Sequence, residues 1–228
     1  MKKLEKRVSA VLVAAGSSTR MGFDKLSFDL GGETVLHRSI RAFEQDPLVT
    51  EIVLVAGKNR AFVEQQAVDC TKPVQIVTGG TTRAESAKNG VLAAAGELVA
   101  VHDAARPFVS QAVITAALEA AARCGAAAPA VPVKDTIKVV NDHLIVDTPY
   151  RPHLFITQTP QVFKRQLYFE AVTFAEEHAL DFTDDCQLIE AINCKVYMTE
   201  GDYTNIKITT PEDIAIAEIL LARQKEEA

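Results

Sequence analysis

Short apolar runs alternate with amphipathic stretches along most of this chain, and this alternation constrains the fold more than any other sequence feature. Residues 8–13 form the first apolar run, and residues 52–56 and 98–102 repeat it. Strands that are apolar on both faces are typical of parallel sheets, in which helices cover each side. We therefore predict an α/β fold with a mostly parallel sheet flanked by helices.

The remaining predicted elements continue this alternation. Helices are predicted over residues 34–46, 59–68, 82–95, 110–124, 164–178 and 183–192, and a last helix is predicted to open at Thr210-Pro211. Further strands are predicted over residues 74–77, 126–133, 195–198 and 205–208. Ser110 is a suitable N-cap and Gly125 a suitable C-cap for the helix over 110–124.

A predicted β-hairpin breaks the alternation. Residues 136–140 and 143–147 are strand-like and flank a turn at Asn141-Asp142. We interpret residues 134–157, approximately, as an inserted β-arm within a single domain that spans residues 1–228. An isolated hairpin is only marginally stable, so we expect the arm to pack against another surface, such as a second subunit.

Composition excludes several classes of protein. The formal net charge of −6 argues against a general nucleic-acid or membrane-surface binder. No apolar run approaches the roughly 20 residues of a membrane span, and residues 1–7 lack the apolar core of a signal peptide. The cysteines have neither zinc spacing nor a disulfide-rich pattern, which favours reduced thiols and a cytoplasmic location.

A loop after the first strand combines small, hydroxyl-bearing and basic residues. Residues 14–25 have the sequence Ala-Ala-Gly-Ser-Ser-Thr-Arg-Met-Gly-Phe-Asp-Lys. Gly16 and Gly22 permit tight backbone curvature, and Arg20 and Lys25 add two cations. Backbone amides and cations at the carboxyl end of a first strand suit a polyphosphate.

Two common phosphate loops are excluded by spacing. The second glycine falls too late for the dinucleotide pattern, and Phe23-Asp24 separates Gly22 from Lys25, which the Walker pattern does not allow. An ordinary strand-to-helix loop with two solvated cations remains the alternative.

Polar residues also follow the next predicted strands. Gly79-Gly80 and Ser86 follow one strand, and Asp103 and Arg106 follow another. A carboxylate at such a strand end can bind Mg²⁺ or accept a hydrogen bond from a substrate hydroxyl. Arg106 can pair with Asp103 and fix its rotamer, although a purely structural pair is the alternative. His102 is expected to be a packed histidine, not a catalytic base.

Three further residues are candidates for phosphate binding. Arg151 and Thr159 follow the predicted arm, and the guanidinium of Arg151 can bind phosphate through two nitrogens. Lys207 interrupts an apolar strand, where an exposed lysine is the alternative interpretation. The chain has no series of the Ser-His-Asp type, and its cations, glycines and acids fit phosphoryl or nucleotidyl transfer better.

Together these motifs resemble the 2-C-methyl-D-erythritol 4-phosphate cytidylyltransferase family, and they occur in the family's order over nearly the whole chain. The matching motifs are Ala14-Ala15-Gly16 with Arg20-Met21-Gly22 and Lys25, Gly79-Gly80 with Arg83 and Ser86, residues 102–107 (His-Asp-Ala-Ala-Arg-Pro), residues 132–136, residues 158–161 (Gln-Thr-Pro-Gln), Thr183-Asp184-Asp185, and residues 205–209 with Pro211-Glu212-Asp213.

The resemblance implies an enzyme with a Rossmann-like nucleotidyltransferase fold, a homodimer formed through the arm, and dependence on Mg²⁺ or another divalent cation. It implies transfer of CMP from CTP to 2-C-methyl-D-erythritol 4-phosphate, which gives 4-diphosphocytidyl-2-C-methyl-D-erythritol and pyrophosphate in the non-mevalonate isoprenoid pathway.

The resemblance also implies roles for individual residues. The catalytic residues would be Arg20, Lys25, Arg151 and Lys207, of which the first two neutralise the triphosphate and the last two position the methylerythritol phosphate. The cytidine nucleotide would be held by Ala14, Ala15, Gly16, Gly80 and Ser86. Asp103 would serve Mg²⁺ or the substrate hydroxyls, with Arg106, Thr136 and Thr159 nearby. Some of these residues are expected to act across the dimer.

The chain departs from the family at the loop lysine. Many members have proline before it and glutamine after it, whereas this chain has Asp24 and Leu26. This departure puts the loop conformation in question more than the role of Lys25.

Three alternative functions remain open. A ribitol 5-phosphate cytidylyltransferase would share the scaffold and most motifs. Another sugar-phosphate nucleotidyltransferase would use UTP or GTP. A nucleotide-binding module without catalysis is the alternative from a different class.

Overall fold

A computed structural model describes residues 7–16 and 24–227 of the chain. Its strands are β1 (Val8–Ala14), β2 (Val49–Ala56), β3 (Val74–Thr78), β4 (Leu98–Asp103), β5 (Ala126–Pro132), β6 (Val139–Asn141), β7 (Leu144–Asp147), β8 (Phe155–Thr157), β9 (Gln161–Lys164) and β10 (Tyr197–Glu200). Its α-helices are α1 (Val35–Glu44), α2 (Arg60–Gln66), α3 (Arg83–Ala93), α4 (Gln111–Cys124), α5 (Arg165–Glu177), α6 (Asp185–Glu190) and α7 (Pro211–Glu227). Short 3-10 helices span Lys25–Ser27 and Arg151–His153.

Within the described residues, eight strands form one sheet in the order β10-β5-β9-β4-β1-β2-β3, with β8 paired to β5. β1 is parallel to both β2 and β4, and β2 is parallel to β3. β9 runs antiparallel to β4 and β5. The predicted α/β fold with a mostly parallel sheet is therefore confirmed.

Helices cover both faces of this sheet. Ala10 and Leu12 of β1 belong to one buried cluster, with side chains from α1, α4 and α7. Val11 belongs to the other cluster, with side chains from α3, α5 and α6. Successive strand residues point to opposite faces, so burial of both sets explains why β1 is apolar throughout. The strand is thereby fixed at the centre of the sheet, and its carboxyl end is fixed with it.

The caps of α4 agree with the sequence. Ser110 accepts a hydrogen bond from the Val113 amide through its side chain, and Gly125 ends the helix with φ of +97°. Only glycine adopts that conformation without steric cost. α7 begins at Pro211, the first helical position predicted for it.

The arm contains a hairpin, but its turn lies one residue later than predicted. Asn141 pairs with Leu144, so Asp142 and His143 form the turn. Both have positive φ, 45° and 64°, as a two-residue type I′ turn requires. Asp and His enter this conformation more readily than most residues. The prediction of a turn at Asn141-Asp142 was therefore wrong by one position.

Two other predictions were wrong near the chain's end. Residues 205–208 form no strand. The Ile208 amide donates to the carbonyl of Ala105, which lies beyond the end of β4. The strand predicted over 195–198 lies at Tyr197–Glu200. The antiparallel strands β8 and β9 were not predicted, because their polar and aromatic residues lack the apolar continuity of the parallel strands.

None of the helices in the part of the chain that the structure describes combines the length and hydrophobicity that crossing a membrane requires.

Candidate active site

A cleft of about 1070 Å³ opens where β1, β3 and β4 end, beside the segment of residues 205–209. The carboxyl edge of an open α/β sheet is the usual position for a ligand site. Among the predicted site residues, those that line the cleft are Ala15, Gly16, Lys25, Gly80, Ser86, Asp103 and Lys207. Ala14 is fully buried at the end of β1, directly before them.

The loop between β3 and α3 forms one wall of the cleft. A Cβ atom at Gly79 would lie 2.4 Å from the Cβ of Ala15, so only glycine lets this loop pack against the end of β1. The Gly80 amide donates to Ser86 Oγ at 3.0 Å, and Ser86 Oγ donates to the Thr82 carbonyl. These bonds fix the predicted nucleotide-binding wall, at the N-terminus of α3.

Asp103 lies at the floor of the cleft, at the end of β4, between two cations. Lys207 Nζ lies 2.7 Å from its Oδ2, and Arg83 Nε donates to its Oδ1 at 3.1 Å. Burial opposes ionisation of this carboxyl, but the neighbouring charges of Arg83 and Lys207 outweigh burial and hold its pKa well below the usual range. Asp103 is therefore ionised at neutral pH, and Lys207 is engaged in the site, not merely exposed.

Arg106 does not form the predicted ion pair with Asp103. Its Nη1 donates instead to the Asn205 carbonyl at 2.7 Å. Among the described residues, Arg106 Nε and Asn205 Oδ1 are buried without a hydrogen-bond partner. Burial lowers the pKa of Arg106, and the charge of Asp103 offsets this effect only in part. Arg83 takes the position beside Asp103 that sequence reasoning gave to Arg106, since the start of α3 faces the end of β4 across the cleft.

Lys25 lies across the cleft on the short 3-10 helix. Its Nζ donates to the Ile208 carbonyl at 2.7 Å, next to Lys207. Asp24 caps this helix by accepting a hydrogen bond from the Leu26 amide. Asn59 donates to both Asp24 Oδ2 and the Ala14 carbonyl at 3.3 Å. Asp24, where the chain departs from the family pattern, thus caps the 3-10 helix and is linked through Asn59 to the end of β1.

Thr159 and His102 support Asp103 from beneath. Thr159 Oγ1 accepts a hydrogen bond from the Asp103 amide at 3.1 Å and lies 3.0 Å from His102 Nδ1. His102 Nε2 lies 3.2 Å from the Arg106 carbonyl, which can only accept, so Nε2 carries the proton and Nδ1 accepts from Thr159. Burial lowers the pKa of His102 to about 4, so the ring is neutral. It packs against Phe43, as a structural histidine does.

Other predicted residues lie outside the cleft or outside the described chain. Arg151 begins the 3-10 helix after the hairpin, and its Nη1 donates to the Lys134 carbonyl. Thr136 is exposed on the arm. Neither residue lines the cleft. Arg20, with the rest of residues 17–23, lies outside the described residues.

Two site residues were quoted in the sequence motifs without a role. Arg83 links Asp103 to Asp185, whose Oδ2 lies 2.6 Å from Arg83 Nη1. Asp185 is the first residue of α6. Their positions within the matching motifs were the available signal that these residues belong to the site. Their pairing could not be predicted, because the ion pairs join segments that are far apart in the sequence.

The cleft fits a metal ion that arrives with a phosphorylated ligand. Within residues 7–16 and 24–227, no cluster of three or more His, Cys, Asp or Glu side chains could hold a metal. Asp103 is nevertheless an ionised carboxylate on the cleft. Mg²⁺ is commonly held by one or two carboxylates together with substrate phosphates. The donor set therefore suits a shared site and does not suit a cage made of protein ligands alone.

Comparisons with known proteins agree with this architecture. Residues 8–223 match the family model described as 2-C-methyl-D-erythritol 4-phosphate cytidylyltransferase. A relative of that name from Caldanaerobacter subterraneus subsp. tengcongensis is 44% identical over 225 residues, which covers 95% of this chain and 99% of the relative.

Solved structures give the same result. The 4-diphosphocytidyl-2C-methyl-D-erythritol synthase of Anaerococcus prevotii superposes with a TM-score of 0.87 at 32% identity, over 95% of this chain and 99% of the other. The 2-C-methyl-D-erythritol 4-phosphate cytidylyltransferase of Thermus thermophilus gives a TM-score of 0.78 at 34% identity, over 92% and 97% of the two chains.

Proposed function

The chain belongs to the 2-C-methyl-D-erythritol 4-phosphate cytidylyltransferase family, and we propose that it transfers CMP from CTP to 2-C-methyl-D-erythritol 4-phosphate. The products are 4-diphosphocytidyl-2-C-methyl-D-erythritol and pyrophosphate, in the non-mevalonate isoprenoid pathway. The observation that carries this proposal is the convergence of Lys25 and Lys207 on the cleft that Asp103 also lines.

The transfer needs positioning and charge neutralisation more than acid–base chemistry. A phosphate oxygen of the polyol phosphate forms a bond to the α-phosphorus of CTP. The bond from that phosphorus to the bridging oxygen breaks, and its electron pair leaves with pyrophosphate. Lys25 stabilises the negative charge that develops on the triphosphate, and Arg20 is proposed to assist it. Lys207 and Arg151 bind the phosphate of the attacking substrate.

The wall made by the ends of β1 and β3 is proposed to hold cytidine. Ala14, Ala15 and Gly16 present backbone groups from one side, and Gly80 and Ser86 from the other. Glycine at position 79 lets this loop approach Ala15 closely. Arg106 and Thr159 support the substrate pocket indirectly, through Asn205 and the Asp103 amide.

Mg²⁺ or another divalent cation is proposed as the cofactor, with Asp103 as its protein ligand. When bound, the cation offsets negative charge on the triphosphate oxygens. Asp103 is held ionised and oriented for this role by Arg83 and Lys207.

A homodimer formed through the arm is proposed to complete the site. Both hairpin strands are exposed along their whole length, and Leu144 and Ile145 expose 70% and 63% of their surface. A hairpin this apolar is poorly stable in water. Arg151 and Thr136 lie on the arm, away from the cleft of their own chain, which supports their action in the partner's cleft.

The four cysteines are free thiols, and this supports a cytoplasmic location for the enzyme.

Side-by-side turnover tests the substrate assignment. The purified chain is incubated with CTP, Mg²⁺ and either 2-C-methyl-D-erythritol 4-phosphate or ribitol 5-phosphate, and pyrophosphate release is measured. We expect the methylerythritol substrate to give the higher kcat/KM, and CTP to exceed UTP and GTP. Preference for ribitol 5-phosphate would reassign the substrate, and absence of pyrophosphate with every alcohol phosphate would leave a nucleotide-binding module.

A further inference from the structure

A chain of polar groups extends from the cleft floor to the start of α6. Arg83 contacts Asp103 through Nε and Asp185 through Nη1, at 3.1 and 2.6 Å. The Asp185 side chain is only 3% exposed and does not line the cleft. Tyr168 donates a hydrogen bond to its other oxygen at 2.9 Å. Among residues 7–16 and 24–227, Arg83 is therefore the side chain through which Asp185 contacts the cleft.

Asp185 is itself held rigidly. Gln161 Oε1 accepts hydrogen bonds from the amides of Asp185 and Cys186, at 3.0 and 3.2 Å. Gln161 Nε2 donates to Asp184, which caps α6. The start of α6 is thus anchored to β9, next to β4. This anchoring fixes the carboxylate that Arg83 meets.

We propose that Asp185 is a positioning residue for nucleotidyl transfer, because it confines Arg83 to one oxygen of Asp103 and leaves the other oxygen to Lys207. The inference rests on the function proposed above. A guanidinium readily binds both oxygens of one carboxylate. Without Asp185, Asp103 is the nearest carboxylate for both donor groups of Arg83, Nε and Nη1. Arg83 would then compete with Lys207 for Oδ2 and displace the ammonium group that is proposed to bind the attacking phosphate.

Charge predicts no loss of CTP binding, whereas geometry predicts a slower chemical step. This contrast separates a positioning role from general damage to the fold. Replacing Asp185 by Asn removes a negative charge near the cleft, so binding of the polyanion CTP is not weakened by electrostatics. The displaced Lys207 instead positions the attacking phosphate less well and slows the chemical step. A variant that is merely partly unfolded would lose kcat in proportion to the folded fraction, whatever residue lies at position 83.

The experiment is a double-mutant cycle on the full chain with CTP, Mg²⁺ and 2-C-methyl-D-erythritol 4-phosphate. We expect Asp185→Asn to lower kcat about tenfold or more without raising KM for CTP. In an Arg83→Gln background, the same change is expected to cost less than about twofold. Should Asp185→Asn fail to fold, Asp185→Ser leaves room for water and is expected to show the same pattern.

Asp46→Asn is the matched control, since Asp46 is a fully buried carboxylate that accepts from the Leu48 amide and Thr115 but does not line the cleft. It is expected to lower Tm while kcat stays within about twofold. The inference is overturned if Asp185→Asn keeps the wild-type kcat, if its cost is equal in both backgrounds, or if Asp46→Asn lowers kcat as much.

A crystal structure of Asp185→Asn decides the inference independently of turnover. We expect the Arg83 guanidinium on both oxygens of Asp103, with Lys207 Nζ displaced from Oδ2. An unchanged arrangement around Asp103 contradicts the inference. An inactive wild-type chain would instead reject the proposed function, and the crystallographic result would still stand.

Discussion

Lys207 Nζ lies 2.7 Å from Asp103 Oδ2, and this ion pair joins the end of β4 to a segment close to the last helix. Lys25 reaches the same segment through the Ile208 carbonyl. Residues 205–209 therefore close the cleft by contacts with side chains from two distant parts of the chain. This segment leaves the sheet instead of extending it, and Lys25 and Lys207 both line the cleft.

Lys25 is expected to act on the transition state. Lys25→Ala should lower kcat by roughly two orders of magnitude or more, with little change in Tm, because its charge is needed most when charge develops on the leaving pyrophosphate. Steady-state kinetics and thermal unfolding measure the two effects. Lys195 is exposed and lies away from the cleft, so Lys195→Ala is the matched control for the loss of a lysine. A normal kcat for Lys25→Ala would remove Lys25 from the mechanism.

Asp103→Asn is expected to reduce both activity and stability. The low pKa of Asp103 indicates that its charge stabilises the fold above the unfolded value of 3.8. Neutralising it leaves Arg83 and Lys207 facing an amide, at an expected cost of about 1–3 kcal/mol. The change should also weaken the dependence of turnover on Mg²⁺. Denaturant titration and a Mg²⁺ titration of kcat/KM measure these effects, and a variant with wild-type Mg²⁺ dependence would contradict the role of Asp103 as ligand.

His102 makes a distinct contribution to the pH dependence of stability. Its pKa is about 4 in the folded chain against 6.5 in the unfolded chain. Between these values the unfolded state binds more protons, so stability is complete above about pH 6.5 and declines as the pH falls towards 4. The expected loss by pH 4.5 is about 2–3 kcal/mol.

His102→Gln removes this titration and should flatten the pH dependence of the free energy of unfolding between pH 6.5 and 4.5. Carboxylates elsewhere contribute equally to both proteins, so the difference between the two curves isolates His102. Parallel curves would show that His102 is not buried as a neutral ring.

Subunit complementation tests the arm. If Arg151 acts in the partner's cleft, an inactive Lys25→Ala chain mixed with an inactive Arg151→Ala chain should regain activity. Half of the randomly formed dimers are then mixed, and each has one intact site, so about a quarter of the wild-type activity is expected. Ile145→Asp should abolish the dimer in sedimentation experiments and prevent this recovery. If mixed dimers form but activity is not recovered, Arg151 acts in the cleft of its own subunit.

Sequence periodicity predicted the parts of the fold where burial determines the residue type. The apolar runs of β1, β2 and β4 could be identified because both faces of the sheet are covered. The prediction for residues 205–208 was wrong, since apolar residues there anchor an irregular segment and not a strand. β9 was missed, because Gln161 is selected for its hydrogen bonds to α6 and not for strand propensity.

The site was predictable to the extent that its residues follow strand ends. Asp103, Gly80 and Lys25 lie on the cleft for that reason. The arginine partner of Asp103 was not predictable, because Arg83 and Arg106 both follow strand ends and only the packing of α3 selects between them. The single-domain division with its arm, and the action of Arg151 across subunits, stay predictions.

A crystal structure with CTP and Mg²⁺ tests the central claim most directly. We predict cytosine between the ends of β1 and β3, beside Ala15 and Gly80, and triphosphate oxygens within hydrogen-bond distance of Lys25 Nζ. A nucleotide bound outside this cleft, or inside it with no phosphate near Lys25, would contradict the account.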